Sequence, residues 1–207
     1  MNYCWYSLIW EARAYRGAQL ATYAQDLQAR LKSLPHVAAT TTVTGAPFVA
    51  AGGDTRVQVP GYSPAADDNY FVSTNSVGAD FVATAGIRIV QGRTFDGTEE
   101  TLDGTAADAA TRRVAIVNEA FTRKYFGARD PVGQHIYVAR APVEIVGVAE
   151  NARLHNLRDE PAPVVYLPVA QDLSRWRRLM ILVRSDDTRE LTRLAPAGAC
   201  AWPASTR

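Results

Sequence analysis

The sequence predicts an α+β fold, and three observations carry that reading. A helix followed by a strand opens the chain, a strand followed by the start of a helix closes it, and the long stretch between them reads mostly as short strands.

Leu20, Leu27, Leu31 and Leu34, with Tyr23 and Ala24, recur at helical spacing over residues 19–33, while Gln25, Asp26, Gln28, Arg30 and Lys32 turn the other way. Pro35 ends the helix by disfavouring helical geometry at Leu34. "HVAATTTVTGAPF" is rich in β-branched residues and predicts a strand that stops at Gly45-Ala46-Pro47. "AAGGD" reads as a flexible loop, and Val57 and Val59 alternate with Arg56 and Gln58 as in a half-buried strand. "NYFVSTNSVGADFVATAGIRIVQGRTF" predicts a strand, a helical turn over residues 80–85 and a strand over 87–90, with Gly86 and Gly92 as breakers. The following "DGTEETLDGTAADAATRR" has almost nothing to bury and reads as a mobile surface loop.

"AIVNEAFTRKYFGARDPVGQHI" compresses several signals. Residues 114–117 form an apolar strand, and Asn118 stands where an N-cap accepts a hydrogen bond from an orphaned amide of the first helical turn. Glu119 suits the positive end of the helix dipole, Arg123 and Lys124 the negative end, and Gly127 the terminating position. An Asn-Glu pair could also be read as catalytic, but capping accounts for the whole block and catalysis for only two of its residues. After the Asp130-Pro131-Val132-Gly133 turn, "QHIYVA" and "VEIVGVA" predict two strands, the second apolar throughout as when both faces are covered. A polar connection leads to an extended segment at 164–167, flanked by prolines. "RLMILVRS" is a further strand, "DDTRELTRL" starts a helix, and "APAGACAWPASTR" has no pattern.

Composition excludes several classes. The chain has 207 residues, room for one or two domains burying roughly 70% of the unfolded surface. Its 22 Lys and Arg balance 21 Asp and Glu, so no broad field steers it to nucleic acid or an anionic membrane. No run approaches the roughly 20 apolar residues that span a bilayer, and "MNYCWYSLIWEARAYRG" is broken by Glu11 and Arg13 without the pattern of a secretory signal, so the chain as written reads as soluble. Cys4 and Cys200 imply no disulfide framework and leave the redox compartment open.

Chemical motifs are missing. His36, His135 and His155 are scattered, and neither cysteine has a partner at metal-ligand spacing. There is no Gly-x-Ser-x-Gly, and no glycine-rich phosphate loop follows Gly147. Asp67-Asp68, Glu99-Glu100, Asp159-Glu160 and Asp186-Asp187 read as solvated surface. "SRWRRL" (residues 174–179) is a local basic patch, too narrow for a nucleic-acid face. The sequence therefore assigns no catalytic, cofactor-binding or metal-binding residue, and no cofactor.

Five ordered blocks carry a resemblance: "YAQDLQARLKSLPHVAATTTVTGAPF", "VGADFVATAGIRIVQGRTF", "VAIVNEAFTRKYFGARDPVGQHI", "VEIVGVAENARLHNLRDEPAPVVYLPVAQ" and "LMILVRS". Together they cover most of residues 23–185, and the chain resembles the periplasmic core domain of MacB-like ABC transporter permeases, in the MacB/FtsX-like permease superfamily. The resemblance implies a single two-lobed domain over 1–207. Residues 18–69 and 169–195 would form a porter-like lobe, 70–168 an inserted strand-rich lobe, and 196–207 an atypical tail. Glu150-Asn151 stands where the family commonly has Gly-Asp, losing a permissive turn residue. The tail departs too: the family continues the closing helix into another strand, so a truncation or frame change is expected, with an open sheet edge and a marginally stable or self-associating fragment.

The function so implied is non-enzymatic. The domain would sit in the periplasm as part of an inner-membrane exporter, coupling transmembrane movement to partners or cargo. An ABC ATPase subunit or domain, joined through membrane segments absent from this chain, a periplasmic adaptor and a second permease copy are the implied partners. The alternative is an FtsX-like regulatory domain that binds a cell-envelope hydrolase. A small-molecule binding module or enzyme comes last, because the chemical motifs are missing.

Overall fold

The computed structural model describes residues 4–11, 18–45, 53–63, 70–96, 99, 113–152, 160–171, 178–186 and 200–202. Among them the order is β1 (Cys4–Glu11), α1 (Ala18–Lys32), β2 (Val37–Val43), β3 (Asp54–Gln58), β4 (Phe71–Val77), α2 (Phe81–Ala85) and β5 (Ile89–Gly92). There follow β6 (Val114–Asn118), α3 (Glu119–Tyr125), β7 (His135–Val138), β8 (Ala141–Ala149), β9 (Val164–Pro168), β10 (Arg178–Ser185) and β11 (Cys200–Trp202). The mixed α and β content agrees with the sequence expectation, and the leucine-spaced helix with the strand after it and the capped helix with the strands on either side of it form as read. β5 starts two residues later than expected, because Gly86 closes α2 in the left-handed region (φ 64°) and the Ile87 N–H stays bonded to Val82 O (3.0 Å). The acidic loop, the closing helix and the "AAGGD" loop fall outside the described residues apart from Gly53, Asp54, Asp96, Glu99, Arg113 and Asp186.

Two strands were not expected. β1 lies in the opening segment, where "CWYSLIWE" is rich in strand-forming aromatic residues, and β11 lies in the patternless tail. β11 pairs with β1 over Trp5–Ser7, so the sheet edge expected to be open is covered along that part. The register sets Ser7 opposite Cys200 and Ser185 opposite Cys4. The two cysteines thus lie about 10 Å out of step along their strands, beyond the roughly 7 Å that a disulfide tolerates between Cα atoms.

β11, β1, β10 and β2 form an antiparallel terminal sheet, which continues from β2 to β4 through the pair Val43↔Val77. From β4 the pairing closes on itself: β4–β3, β3–β7, β7–β8, β8–β6, β6–β9 and β9–β4 form a ring of six strands. The β6–β8 and β4–β9 contacts are parallel and the others antiparallel. The sequence expectation grouped β3 with residues 18–69; its alternating Val57 instead points into the ring, and its neighbours are β4 and β7.

Apolar residues of all six ring strands, among them Val57, Val72, Val117, Ile136, Ile145 and Val165, form one core. α3 packs Phe121 against it, and Tyr125 and Phe126 belong to the same cluster. A second core lies outside the ring, where Val114, Ile116, Val146, Val164 and Tyr166 face Val43, Met180 and Leu182 of the terminal sheet and Phe81 and Val82 of α2. β6, β8 and β9 are therefore buried on both faces, which is why "VEIVGVA" carries no polar alternation. On β10, Met180 and Leu182 join this second core, while Ile181 and Val183 pack with Leu31 in a third cluster flanked by Leu27.

Where β5 crosses β8, Gly92 pairs with Gly147, and a Cβ on Gly147 would lie 2.2 Å from Arg93 O. Gly147→Ala must push these backbones apart and is expected to cost about 2–3 kcal/mol, read as a lower midpoint of denaturant unfolding. The β7–β8 turn uses Ala139 (φ 49°) and Arg140 (φ 72°), both left-handed, where a two-residue hairpin favours Asn-Gly. The double variant Ala139→Asn, Arg140→Gly is expected to gain about 1 kcal/mol in the same assay.

Candidate functional site

The Asn118-Glu119 pair lies where β6 becomes α3, and its geometry decides between capping and catalysis. Asn118 is 1% exposed. The Phe121 N–H donates to its Oδ1 (3.0 Å), the N-cap bond expected from sequence, and the Val164 N–H donates to the same oxygen (2.9 Å). Its Nδ2 donates to Ala162 O (2.8 Å) and to Asn151 Oδ1 (3.0 Å). The side chain thus spends two acceptor and two donor positions on structure. Asn151 Oδ1 also accepts from the Ala120 N–H (2.9 Å), and the Asn151 N–H donates to Glu119 Oε2 (3.2 Å). The pair therefore joins the ends of β6 and β8, the start of β9 and the first turn of α3. Asn151 uses an oxygen that Asp would also provide, and Glu150 is not among the residues with positive φ. The departure from Gly-Asp therefore keeps both the contact and an ordinary backbone.

Among the described residues the other candidate groups do not converge. His36 sits in the left-handed region (φ 66°) with its Nδ1 3.2 Å from Asp186 Oδ1, while its carbonyl accepts from Ser185 Oγ (2.7 Å). His135 is exposed on β7 opposite Glu144, and His155 is outside the described residues. Glu99 hydrogen-bonds to Arg93 (2.8 Å), which raises the Arg93 pKa and closes a local clamp with the Asp96 N–H. Glu160 is exposed, and Asp67, Asp68, Glu100, Asp159 and Asp187 are outside the described residues, as is the basic patch up to position 177. Among the described residues no three His, Cys, Asp or Glu side chains are placed to hold a metal ion.

What sequence reading missed is a surface. On the outer side of the ring, Phe71 is 58% exposed, opposite Arg56, and exposed Tyr137 lies opposite Gln58. Exposed Tyr70 adds a third ring, with the Arg56 guanidinium 5.1 Å from its centroid. Phe71 and Tyr137 flank β3 from either side, with Arg56 and Gln58 between them, which makes this face a candidate contact surface. The signal in the sequence was the polar-aromatic alternation around Val57 and Val72, which sends their neighbours outward.

Residues 7–195 match the family described as MacB-like periplasmic core domain. A 131-residue stretch is 30% identical to the macrolide export ATP-binding/permease protein MacB 2 of Aeromonas hydrophila subsp. hydrophila, covering 63% of this chain and 19% of that protein. This chain therefore spans about a fifth of that relative's length. The fold is similar to the periplasmic region of MacB from Actinobacillus actinomycetemcomitans, with a TM-score of 0.61 at 12% identity over 97% of this chain and 88% of that one. It is also similar to the extracellular domain of the noncanonic ABC-type transporter YknZ from Gram-positive bacteria, with a TM-score of 0.57 at 14% identity over 96% and 99%.

Asn118→Ala orphans the buried Phe121 and Val164 N–H groups and removes the bonds to Ala162 O and Asn151 Oδ1, and is expected to cost about 3 kcal/mol, against about 1 kcal/mol for Glu119→Ala, in denaturant titrations. Tyr166 is a contrasting case: its hydroxyl is buried, without a hydrogen-bond partner, and burial raises its pKa. Tyr166→Phe removes that unpaired group and is expected to raise the melting temperature by a few degrees, for about 1 kcal/mol.

Proposed function

This chain belongs to the MacB-like periplasmic core domain family, and from that membership we propose that it is the extracytoplasmic domain of an ABC-type exporter permease. In this reading it is held at the periplasmic face of the inner membrane and has no chemistry of its own. It relays movement of membrane helices, driven by ATP hydrolysis on a separate subunit or domain, to a periplasmic adaptor or to cargo. A second permease copy completes the assembly.

The observation that carries the proposal is the family match over residues 7–195. Cys4 pairs with Ser185 and Trp5 with Trp202, so β1, β10 and β11 bring both ends of the described chain together at one edge of the terminal sheet. The ring hangs from the opposite edge, beyond β10 and β2, and carries the exposed aromatic wall. The two-lobed division follows as part of the same proposal, with the terminal sheet and α1 as the membrane-side part and the strand ring as the partner-side part.

Immobilised chain exposed to a periplasmic extract is expected to retain a periplasmic adaptor protein. Replacing Phe71 and Tyr137 by Ala is expected to cut retention about tenfold, because central aromatic contacts carry most of an interface's energy. Recovery of a cell-wall hydrolase in place of an adaptor would favour the regulatory reading and contradict this one.

A further inference from the structure

Strand β4 belongs to both parts of the molecule. One edge pairs with β9 over Phe71's neighbours Ser73 to Val77, closing the ring. The other edge is shared, with β3 opposite Phe71, Val72 and Ser73 and β2 opposite Val77. The β2–β4 contact is short: Thr44 N–H donates to Ser76 O (2.9 Å), Gly78 N–H donates to Thr42 O (2.8 Å), and Val43 faces Val77. The next residues in the same register are Gly45 and Asn75. There the rung is made by a side chain: Asn75 Nδ2 donates to Gly45 O (2.8 Å), and the Gly45 N–H donates to Asn75 Oδ1 (3.0 Å). The amide reproduces the two-bond exchange of a paired strand residue. Thr44 Oγ1 accepts from the Ser76 N–H (2.9 Å) and directs its proton at Asn75 Oδ1 (3.2 Å) or Ser76 O (3.3 Å). Asn75 is buried, and its backbone is in register with Tyr166 of β9. A single residue thus takes part in closing the ring and in fastening the ring to the terminal sheet.

We propose that this joint, positioned by Asn75, locks the ring and the terminal sheet into one cooperative body, so that displacement of the sheet moves the ring instead of being lost in a hinge. The mechanical role rests on the permease reading, whereas the cooperativity is a property of this chain alone. Asn75 is a positioning residue here; nothing in the joint touches a ligand.

The chain carries its own reporter. Its four tryptophans are Trp5, Trp10, Trp176 and Trp202, so none lies between residues 54 and 168, where the ring is built. Trp5, Trp10 and Trp202 lie on β1 and β11, so in a Trp176→Phe background tryptophan fluorescence follows the terminal sheet, and amide exchange of peptides from β6, β7 and β8 follows the ring. In the 207-residue chain the two are expected to report one coincident denaturant transition. In Asn75→Ala the transitions are expected to separate, with amide exchange at positions 42–45 and 75–78 about tenfold faster than in the parent chain. Thr44→Val, which keeps the Asn75–Gly45 rung but loses the hydroxyl bonds, is expected to separate them to a smaller degree, and it serves alone if Asn75→Ala does not fold. Coincident transitions in whichever variants fold would overturn the proposal, leaving Asn75 an ordinary source of stability. Neither readout involves a membrane or a partner, so its failure is distinct from failure of the adaptor capture.

Discussion

The parallel pairing of β4 with β9 is the constraint on which the rest of this structure depends. Without it β4, β3, β7, β8, β6 and β9 would be an open sheet with two long edges, and their apolar residues would face water. With it, one cluster is enclosed by the ring, and the outer faces of β6, β8 and β9 become the wall against which β2, β10 and α2 pack. The two cores are thus not independent: each uses opposite faces of the same strands.

Two buried asparagines manage the points where this arrangement leaves backbone groups without strand partners. Asn118 acts where β6 ends and α3 begins, serving the amide of Val164 and the carbonyl of Ala162 across 46 and 44 residues of sequence. Asn75 acts where β2 leaves β4, and its amide stands in for a missing peptide pair. An amide fits both places because it offers a donor and an acceptor in the spacing of a peptide group, with no charge to desolvate. Asn118, which first suggests chemistry, and Asn75 are thus fastenings of the fold.

Local pattern made much of this legible. Leucine spacing marked α1, the Asn-Glu start and Gly127 end marked α3, and the unbroken apolar run of β8 announced a strand with two covered faces. What local pattern could not supply was pairing. β3 reads as an alternating strand in isolation, and nothing in its five residues says that its neighbour β7 lies some eighty positions away. Asn118 was legible as a cap because its first partner is three residues on; Asn151, Ala162 and Val164 are brought to it only by the tertiary fold. β1 was hidden by its aromatic density, which resembles a generic apolar leader, and β11 by a tail of Ala, Pro and Gly.

Closure also gives the functional reading its physical content: a closed ring resists shear, so a wall built on it presents Phe71 and Tyr137 at fixed spacing, far along the sheet from the chain ends. Cross-strand nuclear Overhauser contacts between β4 and β9 in solution test the closure most directly. The account requires contacts in the parallel register, with Ser73 beside Val164 and Asn75 beside Tyr166. Finding those contacts absent, with the β9 amides that face β4 exchanging as freely as an exposed edge, would contradict it.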